Sequence, residues 1–311
     1  MKTTPVKINP KKVLFIKLGA AGKYEKESIV KGLLTIGFKE FNHEDLLSKR
    51  WDVVRKVYKD AKVSAQWISN YENQIRNFYE LDTSVLWITF YNQKMWWGFA
   101  SEEFIGNGNE PKSRILISGW NSKNIYGDEL LVDNLSGQLT QVQAYRSTIC
   151  KVKAARYAVM KINGEELPEV LEVRKDIVNL KNHIAPLIRK LTPGDFEILV
   201  DLIFRYLGCQ RTGIVGKTQK IKDIELYSPL SHERYLVQVK SQSNLVQFKE
   251  YETHFETMIG YDRYYYVVHT PSGELENYKS KNRNILIWKI DELTEFTINA
   301  GLVKWLMNKV G

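Results

Sequence analysis

The chain has 311 residues, of which 45 are Lys or Arg and 36 are Asp or Glu, so its formal net charge is +9. Hydrophobic residues make up 43% of it and charged residues 26%, which excludes a disordered or fibrous protein. At about 150 residues per domain, this length predicts two domains. Two cysteines, Cys150 and Cys209, are too few for a disulfide framework or a cysteine zinc site. The early apolar run VLFI is too short for a signal sequence or a membrane span, so we expect a cytoplasmic protein that does not bind membranes.

The excess positive charge lies in the first part of the chain. Residues 1–190 contain 30 basic and 21 acidic side chains, whereas residues 191–311 contain 15 of each. A basic surface attracts nucleic acid because binding releases condensed counterions. A charge of +9 is also typical of an ordinary, slightly basic protein. The asymmetry therefore favours a nucleic-acid partner only if the neutral part carries a site that acts on a polyanion.

The first half of the chain predicts a mixture of helices and strands. VLFIKL, over residues 13–18, is typical of a strand, and the GAAG that follows is typical of a turn. Apolar residues at helical spacing predict three helices, over residues 23–34, 44–59 and 61–79. From residue 85 the runs become short and β-type, and LTQVQAYRSTICKVKA continues this character to residue 154. These elements predict an α+β domain with a curved antiparallel sheet.

The second half predicts an α/β domain behind a long helix. Residues 168–191 have a helical pattern that we expect to connect two domains. The next helix begins with Thr192 as its N-cap and Pro193 at its first position. Strand, turn, strand, helix and strand signals follow, which is typical of a small mixed sheet. We therefore predict a basic, aromatic-rich domain, a helical connector and an α/β domain, over residues 1–160, 161–191 and 192–311.

Five polar residues of the second domain form a candidate site. Asp223 and Glu225 lie two apart on one predicted strand, and Gln238 and Lys240 lie two apart on the next. Residues two apart on a strand project to the same face. If the two strands pair through the turn between them, the acidic and Lys side chains converge at one edge of the sheet. Glu197, one turn into the preceding helix, is placed to reach the same cleft.

These residue types suit the hydrolysis of a phosphodiester bond. Carboxylates such as Asp223 and Glu225 hold a hard cation such as Mg²⁺ through oxygen atoms. The Gln238 amide and the Val239 carbonyl can supply further oxygen ligands. The metal activates a water molecule, and the Lys240 ammonium can orient or deprotonate that water beside the phosphate.

At these positions the chain resembles a known nuclease family. DFEILVDLIFRYLG, KDIELYSP and YLVQVKSQS follow one another in the order of the PD-(D/E)xK superfamily, and more closely of its Mrr-like restriction endonuclease branch. The resemblance covers roughly residues 192–270. It implies that Lys240 is the catalytic lysine, that Gln238 stands where the family has Asp or Glu, and that the domain has the restriction-endonuclease-like fold.

The resemblance leaves the acidic ligand open. Ile224-Glu225-Leu226 has the family's spacing with Glu in place of Asp, whereas Ile221-Lys222-Asp223 offers an Asp one step away. We expect Asp223 to be the principal ligand and Glu225 to lie close behind it. Taken singly, each residue is more often structural, because acidic residues on an edge strand usually face water.

Aromatic residues of the first domain suggest a base-binding sheet. The run VLWITFYNQKMWWGFA, with ISGW after it, resembles the PUA/EVE-like barrels that some modification-dependent restriction enzymes use to read bases, over roughly residues 84–150. Trp97 and Trp120 are the candidates for a cage around an extruded base, with Trp96 on the other side of its strand. Most strand aromatics pack in cores instead. Lys17 and Lys23 flank a glycine turn that either contacts a phosphate or only caps a helix.

The sequence as a whole predicts a two-domain DNA endonuclease. The five histidines show no zinc-ligand spacing, and there is no GxSxG motif of an esterase. We expect a Mg²⁺-dependent enzyme of restriction or defence type, type II or IV, that cuts double-stranded DNA as a homodimer. A requirement for a modified base stays open. The alternatives are an inactive nucleic-acid-binding protein and a structure-selective repair or junction nuclease.

Overall fold

The computed structural model describes residues 5–212 and 224–311. The chain divides into two compact units, Met1–Leu167 and Pro168–Gly311. Because the boundary precedes Pro168, the long helix that was expected to connect two domains belongs to the second unit. Along the described residues, no helix is both long and apolar enough to cross a membrane.

The first unit combines short helices with one sheet. Its strands are β1 (Lys12–Ile16), β2 (Leu33–Ile36), β3 (Val85–Tyr91), β4 (Lys94–Ile105), β5 (Lys112–Leu116) and β6 (Ile149–Lys151). Its helices are α1 (Glu25–Lys31), α2 (His43–Leu47), α3 (Trp51–Asp60), α4 (Ala65–Glu80), α5 (Gly137–Thr140) and α6 (Ala155–Ile162). Single 3₁₀ turns lie at Ala20–Gly22, Val132–Asn134 and Gln141–Ala144.

The sequence predicted an antiparallel sheet for the first unit, but the sheet is mixed. Its strand order is β2-β5-β4-β3-β1-β6, and β1 pairs with β3 in parallel while its other pairs are antiparallel. The parallel pair is possible because helices α1 to α4 separate β1 from β3 and give the chain room to cross over. Strands β2 and β6 are open edges, so the described residues form no closed PUA/EVE-like barrel.

Both faces of this sheet are buried. Along β1, Leu14 and Ile16 face a core that includes residues of α3 and α4, whereas Val13 and Phe15 face a second core that includes residues of α6. Alternation of this kind follows from the period of two in a strand. Burial on both faces explains why the strands read as continuous apolar runs.

Three local predictions for this unit were wrong. Gly32 ends α1 in the left-handed conformation, with φ of 66°, so residues 33–36 form a strand instead of continuing the helix. Lys49, with φ of 57°, interrupts the helix predicted over residues 44–59. Residues 137–144 are helical, and only Ile149–Lys151 of the predicted β-type run pairs as a strand.

The second unit places helices on both sides of a five-stranded sheet. Its helices are α7 (Pro168–Arg189), α8 (Pro193–Tyr206), α9 (Leu245–Glu256), α10 (Ile290–Asn299) and α11 (Val303–Val310), with a 3₁₀ turn at Gly273–Glu276. Its strands are β7 (Gln210–Arg211), β8 (Ile224–Ser228), β9 (Glu233–Ser243), β10 (Arg263–Pro271) and β11 (Ile285–Trp288). The start of α8 is as predicted, because the Thr192 hydroxyl accepts a hydrogen bond from the Asp195 amide and Pro193 opens the helix.

The sheet of the second unit is mixed, in the order β11-β10-β9-β8-β7. Strand β9 lies in the middle, parallel to β10 and antiparallel to β8. One face carries Val237 and Val239 and packs against a core that includes residues of α7, α8, α10 and α11. The other face carries Leu236 and packs against Phe248 and Phe255 of α9. The register of β9 therefore decides which side chains meet α9.

Candidate active site

Strands β8 and β9 bring three of the predicted residues to one face. Ile224 lies opposite Val237, and Glu225 lies opposite Leu236. Directly opposed residues share a face, as do residues two apart on a strand. Glu225, Gln238 and Lys240 therefore lie on the face that α9 covers.

The carboxylate ligand of the candidate site is less well defined than Gln238 and Lys240. Asp223 lies outside the described residues, immediately before β8. Glu225 is half-buried, and its partner Leu236 is four residues from Lys240 along β9, a separation of about 13 Å at 3.3 Å per residue. Glu225 is therefore not adjacent to Lys240.

Gln238 occupies the middle of the sheet. It is fully buried, and in the parallel register it lies beside Tyr266 of β10. The Tyr266 hydroxyl is 2.6 Å from the Ser243 hydroxyl oxygen, which links β10 to the end of β9. Burial of an uncharged amide costs less than burial of a carboxylate, which gives a physical reason for Gln at this position.

Lys240 lies at the rim of the same face. Its side chain is half-buried, and its Nζ lies 5.2 Å from the centre of the Tyr251 ring of α9. Within the described ranges 5–212 and 224–311, Lys240 forms no ion pair. The ring supports the ammonium group through a cation–π contact and leaves its hydrogen-bond donors available for an anion. The sequence analysis missed Tyr251, because nothing in its local pattern marks it.

Helix α9, which carries Tyr251, has a well-defined start. The backbone N–H of Gln247 donates to Asn244 Oδ1 at 3.0 Å, and the backbone N–H of Asn244 donates to Gln247 Oε1 at 3.2 Å. This reciprocal pair is a capping box, which satisfies two amide groups at the helix start. Because Asn244 directly follows β9, the cap also fixes the angle between the strand and the helix.

Glu197 does not share this face. It is exposed on α8, whose Phe196 and Val200 are buried in the core on the opposite side of the sheet, with Val237 and Val239. The expectation that Glu197 reaches the same cleft stays a prediction.

Two buried polar atoms lie on the α8 side of the same strands. His269 of β10 is 3% exposed, and its ring packs edge-on against Phe196 at 4.6 Å. Its Nδ1 is 2.8 Å from the Thr270 hydroxyl, whereas His269 Nε2 and Ser241 Oγ have no hydrogen-bond partner among the described residues. Burial, with a smaller effect from the charge of Arg189, lowers the pKa of His269 to about 4. The imidazole is therefore neutral at pH 7.

The donors on the Lys240 face are oxygen atoms. Within the described parts of the chain, no group of three or more His, Cys, Asp or Glu side chains is placed to hold a metal ion. The described donors are the Glu225 carboxylate, the Gln238 amide oxygen and the Val239 carbonyl of the same strand. An oxygen set of this kind fits a hard cation such as Mg²⁺ better than zinc.

In the first unit, Trp97 and Trp120 do not form the predicted cage. Trp120 is 8% exposed in the core that includes residues of α3 and α4, and its indole donates to the Leu33 carbonyl at 2.8 Å. Trp97 packs against the other core and donates to the Lys123 carbonyl at 2.8 Å. The two indoles lie on opposite faces of the sheet, and Trp96 shares the side of Trp120. Both indole N–H groups bond to carbonyls of the chain itself.

Lys17 and Lys23 line a basic pocket in the first unit. The cavity has a volume of about 580 Å³ and is lined by Lys17, Gly19, Ala20, Ala21, Lys23, Tyr24, Gly37, Phe38, Lys39, Glu40, Arg146 and Thr148. Its four cationic side chains face one carboxylate, Glu40, which accepts a hydrogen bond from the Tyr58 hydroxyl at 2.7 Å. Gly19 has φ of 87°, and a Cβ there would lie 2.5 Å from the Tyr24 ring, so the turn requires glycine.

A comparison with known protein families supports the resemblance proposed for the second unit. The family model Mrr_cat, described as a restriction endonuclease, matches residues 188–297. The second unit carries a restriction endonuclease domain. The matched segment is about a third of the chain and contains Glu197, Gln238 and Lys240. The match confirms the resemblance on which those residues were chosen.

The other comparisons add little to the restriction endonuclease domain. The chain is similar to a solved structure, the DNA modification-dependent restriction endonuclease AspBHI, at 10% sequence identity and a TM-score of 0.33. The similarity covers 72% of this chain and 68% of that one. A TM-score of this size carries no argument about the fold or activity of this chain. No curated protein matches it.

Proposed function

We propose that the chain is a Mg²⁺-dependent DNA endonuclease of restriction or defence type. The observation that carries the proposal is the position of the Q-x-K strand. This strand is the middle strand of the restriction endonuclease domain, and Gln238 and Lys240 share one face of it with the Glu225 carboxylate. A restriction endonuclease domain acts on DNA, so the reaction is hydrolysis of a phosphodiester bond.

Each residue of the Lys240 face has a role in this proposal. Lys240 orients the attacking water, and its ammonium group faces the negative charge that develops on the phosphate. Gln238 holds one oxygen ligand in place from the buried middle of the sheet. Asp223 is the principal carboxylate ligand, because Leu236, the cross-strand partner of Glu225, is four residues from Lys240 along β9. Glu225 and the Val239 carbonyl complete the oxygen set.

The metal supplies one part of the chemistry. When bound, Mg²⁺ lowers the pKa of a water molecule and neutralises phosphate charge. Glu197, on α8, helps to hold or position the metal in this proposal. The support for the metal is the oxygen chemistry of the donors.

The first unit binds double-stranded DNA in this proposal. The pocket of Lys17 and Lys23, with Lys39 and Arg146, offers concentrated positive charge that suits a phosphate group. Reading of a modified base then rests on this pocket and its Tyr24 rather than on Trp97 and Trp120, whose indole groups bond within the chain. A homodimer supplies two nuclease sites for two DNA strands.

An inactive DNA-binding protein is the second candidate. It is favoured by the neutral Gln238 at the position of an acidic ligand and by the absence, within the described ranges, of a cluster of acidic residues that could hold a metal. Both candidates predict that the chain binds DNA, but only the endonuclease predicts that it cleaves DNA.

A cleavage assay separates them. We expect the purified chain to nick or linearise plasmid DNA in Mg²⁺ and to lose this activity when a chelator is added. Plasmids with and without modified cytosine distinguish a type IV from a type II requirement, and a branched substrate tests the junction nuclease. Binding without cleavage of any of these substrates in Mg²⁺ would contradict the enzyme and support the binding protein.

A further inference from the structure

The first part of α7 is rich in apolar side chains that the described residues leave exposed. Every residue from 167 to 180 is exposed, around the whole circumference of the helix. Six of these exposed helical residues are large and apolar: Val170, Leu171, Val173, Ile177, Val178 and Leu180. Farther along the same helix, Ile184 and Ile188 are buried in the core of the second unit. A helix exposed all round is expected to be polar, so this stretch has the composition of an interaction surface.

The spacing of the exposed residues is that of a two-stranded coiled coil. Val170, Val173, Ile177 and Leu180 alternate intervals of three and four residues, and Ile184 continues the pattern into the core. In heptad notation Val170 and Ile177 take position a, and Leu180 takes position d. Branched residues at a with Leu at d favour two parallel strands.

The charges beside this seam specify the orientation. Glu169 and Asp176 take position g, and Arg174 and Lys181 take position e. In a parallel pair each g residue faces the partner's e residue five positions later, so each acid meets a base. In an antiparallel pair g faces g and e faces e, so like charges meet. Lys181 also contacts Glu295 at 2.9 Å, an exposed pair that leaves it accessible to an approaching helix.

We propose that residues 168–181 of α7 form a parallel coiled coil with the same helix of a second copy of this chain. Two heptads are short for an isolated coiled coil, but Ile184 and Ile188, buried in the core of the second unit, already anchor this helix. A parallel pair brings two second units to the same end of the coiled coil. The inference names a contact surface for the proposed homodimer, and its tests measure association, so they are independent of the proposed cleavage of DNA.

The oligomeric state of the full chain tests the proposal. We expect sedimentation equilibrium to give twice the chain mass at micromolar concentration. Ile177→Asp should raise the dissociation constant at least about a hundredfold, because it places a charge in the seam at both copies. Leu230→Asp changes a side chain that is 96% exposed in the β8–β9 turn and should leave the dimer intact. A monomer at every concentration, or an Ile177→Asp variant that associates like the original chain, would overturn the proposal.

Because Ile177 is exposed within the chain, its substitution should not unfold the second unit. Equal melting temperatures of the two variants, measured where both are monomeric, check this. Covering of the helix by another part of the same chain would appear as a monomer whose melting temperature falls with Ile177→Asp. That outcome would also overturn the proposal.

Cross-linking tests the orientation. In a parallel pair, position d faces its own copy, so Val173→Cys should form a disulfide between two chains under mild oxidation. Glu172→Cys, on the outer side of the pair, should not. The native Cys150 and Cys209 are half-buried and buried and are present in both variants. A dimer that cross-links through neither residue, or equally through both, would contradict the parallel arrangement.

Reversing the charges at positions g and e tests the parallel orientation independently. A chain with Glu169→Lys and Asp176→Lys should dissociate at least about tenfold more readily, as should a chain with Arg174→Glu and Lys181→Glu. A mixture of the two variants should restore association, because acids again face bases. Failure of the mixture to associate better than either variant alone would refute the predicted pairs.

Discussion

The Lys240 ammonium group depends on one aromatic neighbour for its position. Tyr251 lies below it at 5.2 Å and is held by α9. We predict that Tyr251→Leu lowers the rate of DNA cleavage about tenfold with unchanged DNA binding, since a cation–π contact of this kind is worth on the order of 1 kcal/mol. Tyr251→Phe keeps the ring and should keep the activity. Equal rates for the Leu and Phe variants in single-turnover assays would show that the ring does not position Lys240.

His269 makes the stability of the second unit depend on pH. Its pKa is lowered to about 4 by burial, below its ordinary value of 6.5, so folding favours the neutral ring. The contribution of the neutral ring to the free energy of unfolding is complete above pH 6.5. It is lost as the pH falls from 6.5 through about 4, which lowers the free energy of unfolding by up to about 3 kcal/mol. We predict that His269→Leu removes this part of the pH dependence in urea melts. The same substitution at the exposed His254 serves as the control, and an unchanged slope in the His269 variant would disprove the assignment.

At the scale of single elements, the capping box stabilises the start of α9, the helix that carries Tyr251 of the candidate site. We predict that Asn244→Ala lowers the free energy of unfolding by about 1 kcal/mol, because the backbone N–H of Gln247 at the helix start loses its side-chain acceptor. Asn244→Asp keeps the acceptor for the Gln247 amide and should lose less. Chemical denaturation measures both. An Ala variant as stable as the Asp variant would show that water replaces the cap without cost.

Much of the second unit follows from local sequence signals. Thr192 and Pro193 mark the start of α8 through an N-cap and a first-turn proline, both of which act within one helical turn. The two-residue interval between Gln238 and Lys240 fixes their common face once β9 is a strand. These features depend on neighbours along the chain, so the sequence alone predicts them.

Features that depend on contacts between residues far apart in the chain could not be predicted from local sequence signals. The parallel pairing of β1 with β3 depends on how α1 to α4 pack, which no local pattern encodes. The packing of α8 against the face of the sheet that carries Val237 and Val239 likewise depends on contacts between distant residues. Trp97 and Trp120 look alike in sequence, yet packing divides them between two cores.

At the scale of the whole molecule, only part of the positive charge is available for DNA. Lys112 and Arg114 of the first unit are buried and donate to backbone carbonyls, Lys112 to those of Phe38 and Phe41 and Arg114 to that of Phe78 among others. Such cations stabilise loops and do not meet a ligand. The concentrated charge of the pocket around Lys23 and Arg146 is therefore a better indicator of DNA contact than the net charge of +9.

The salt dependence of DNA binding tests this distinction. We predict that Lys23→Gln with Arg146→Gln weakens duplex binding and reduces the slope of log K against log salt by about one to two, since each lost phosphate contact removes roughly 0.9. Lys11→Gln with Lys153→Gln removes the same charge at the other end of β1, as the β1–β6 register shows. This control pair should change the slope less. Equal slopes for the two double variants would mean that net charge and not the pocket governs binding.

If Lys240 and its oxygen neighbours cut DNA, the initial rate of plasmid cleavage in Mg²⁺ must fall in Lys240→Ala. We predict a loss of about 100-fold to 1,000-fold relative to the original chain, with duplex binding unchanged, because one electrostatic group at the reacting phosphate is worth that much. Lys281→Ala, at an exposed position of the same unit, should cut at the original rate. Cleavage by Lys240→Ala at the rate of the original chain would contradict the account.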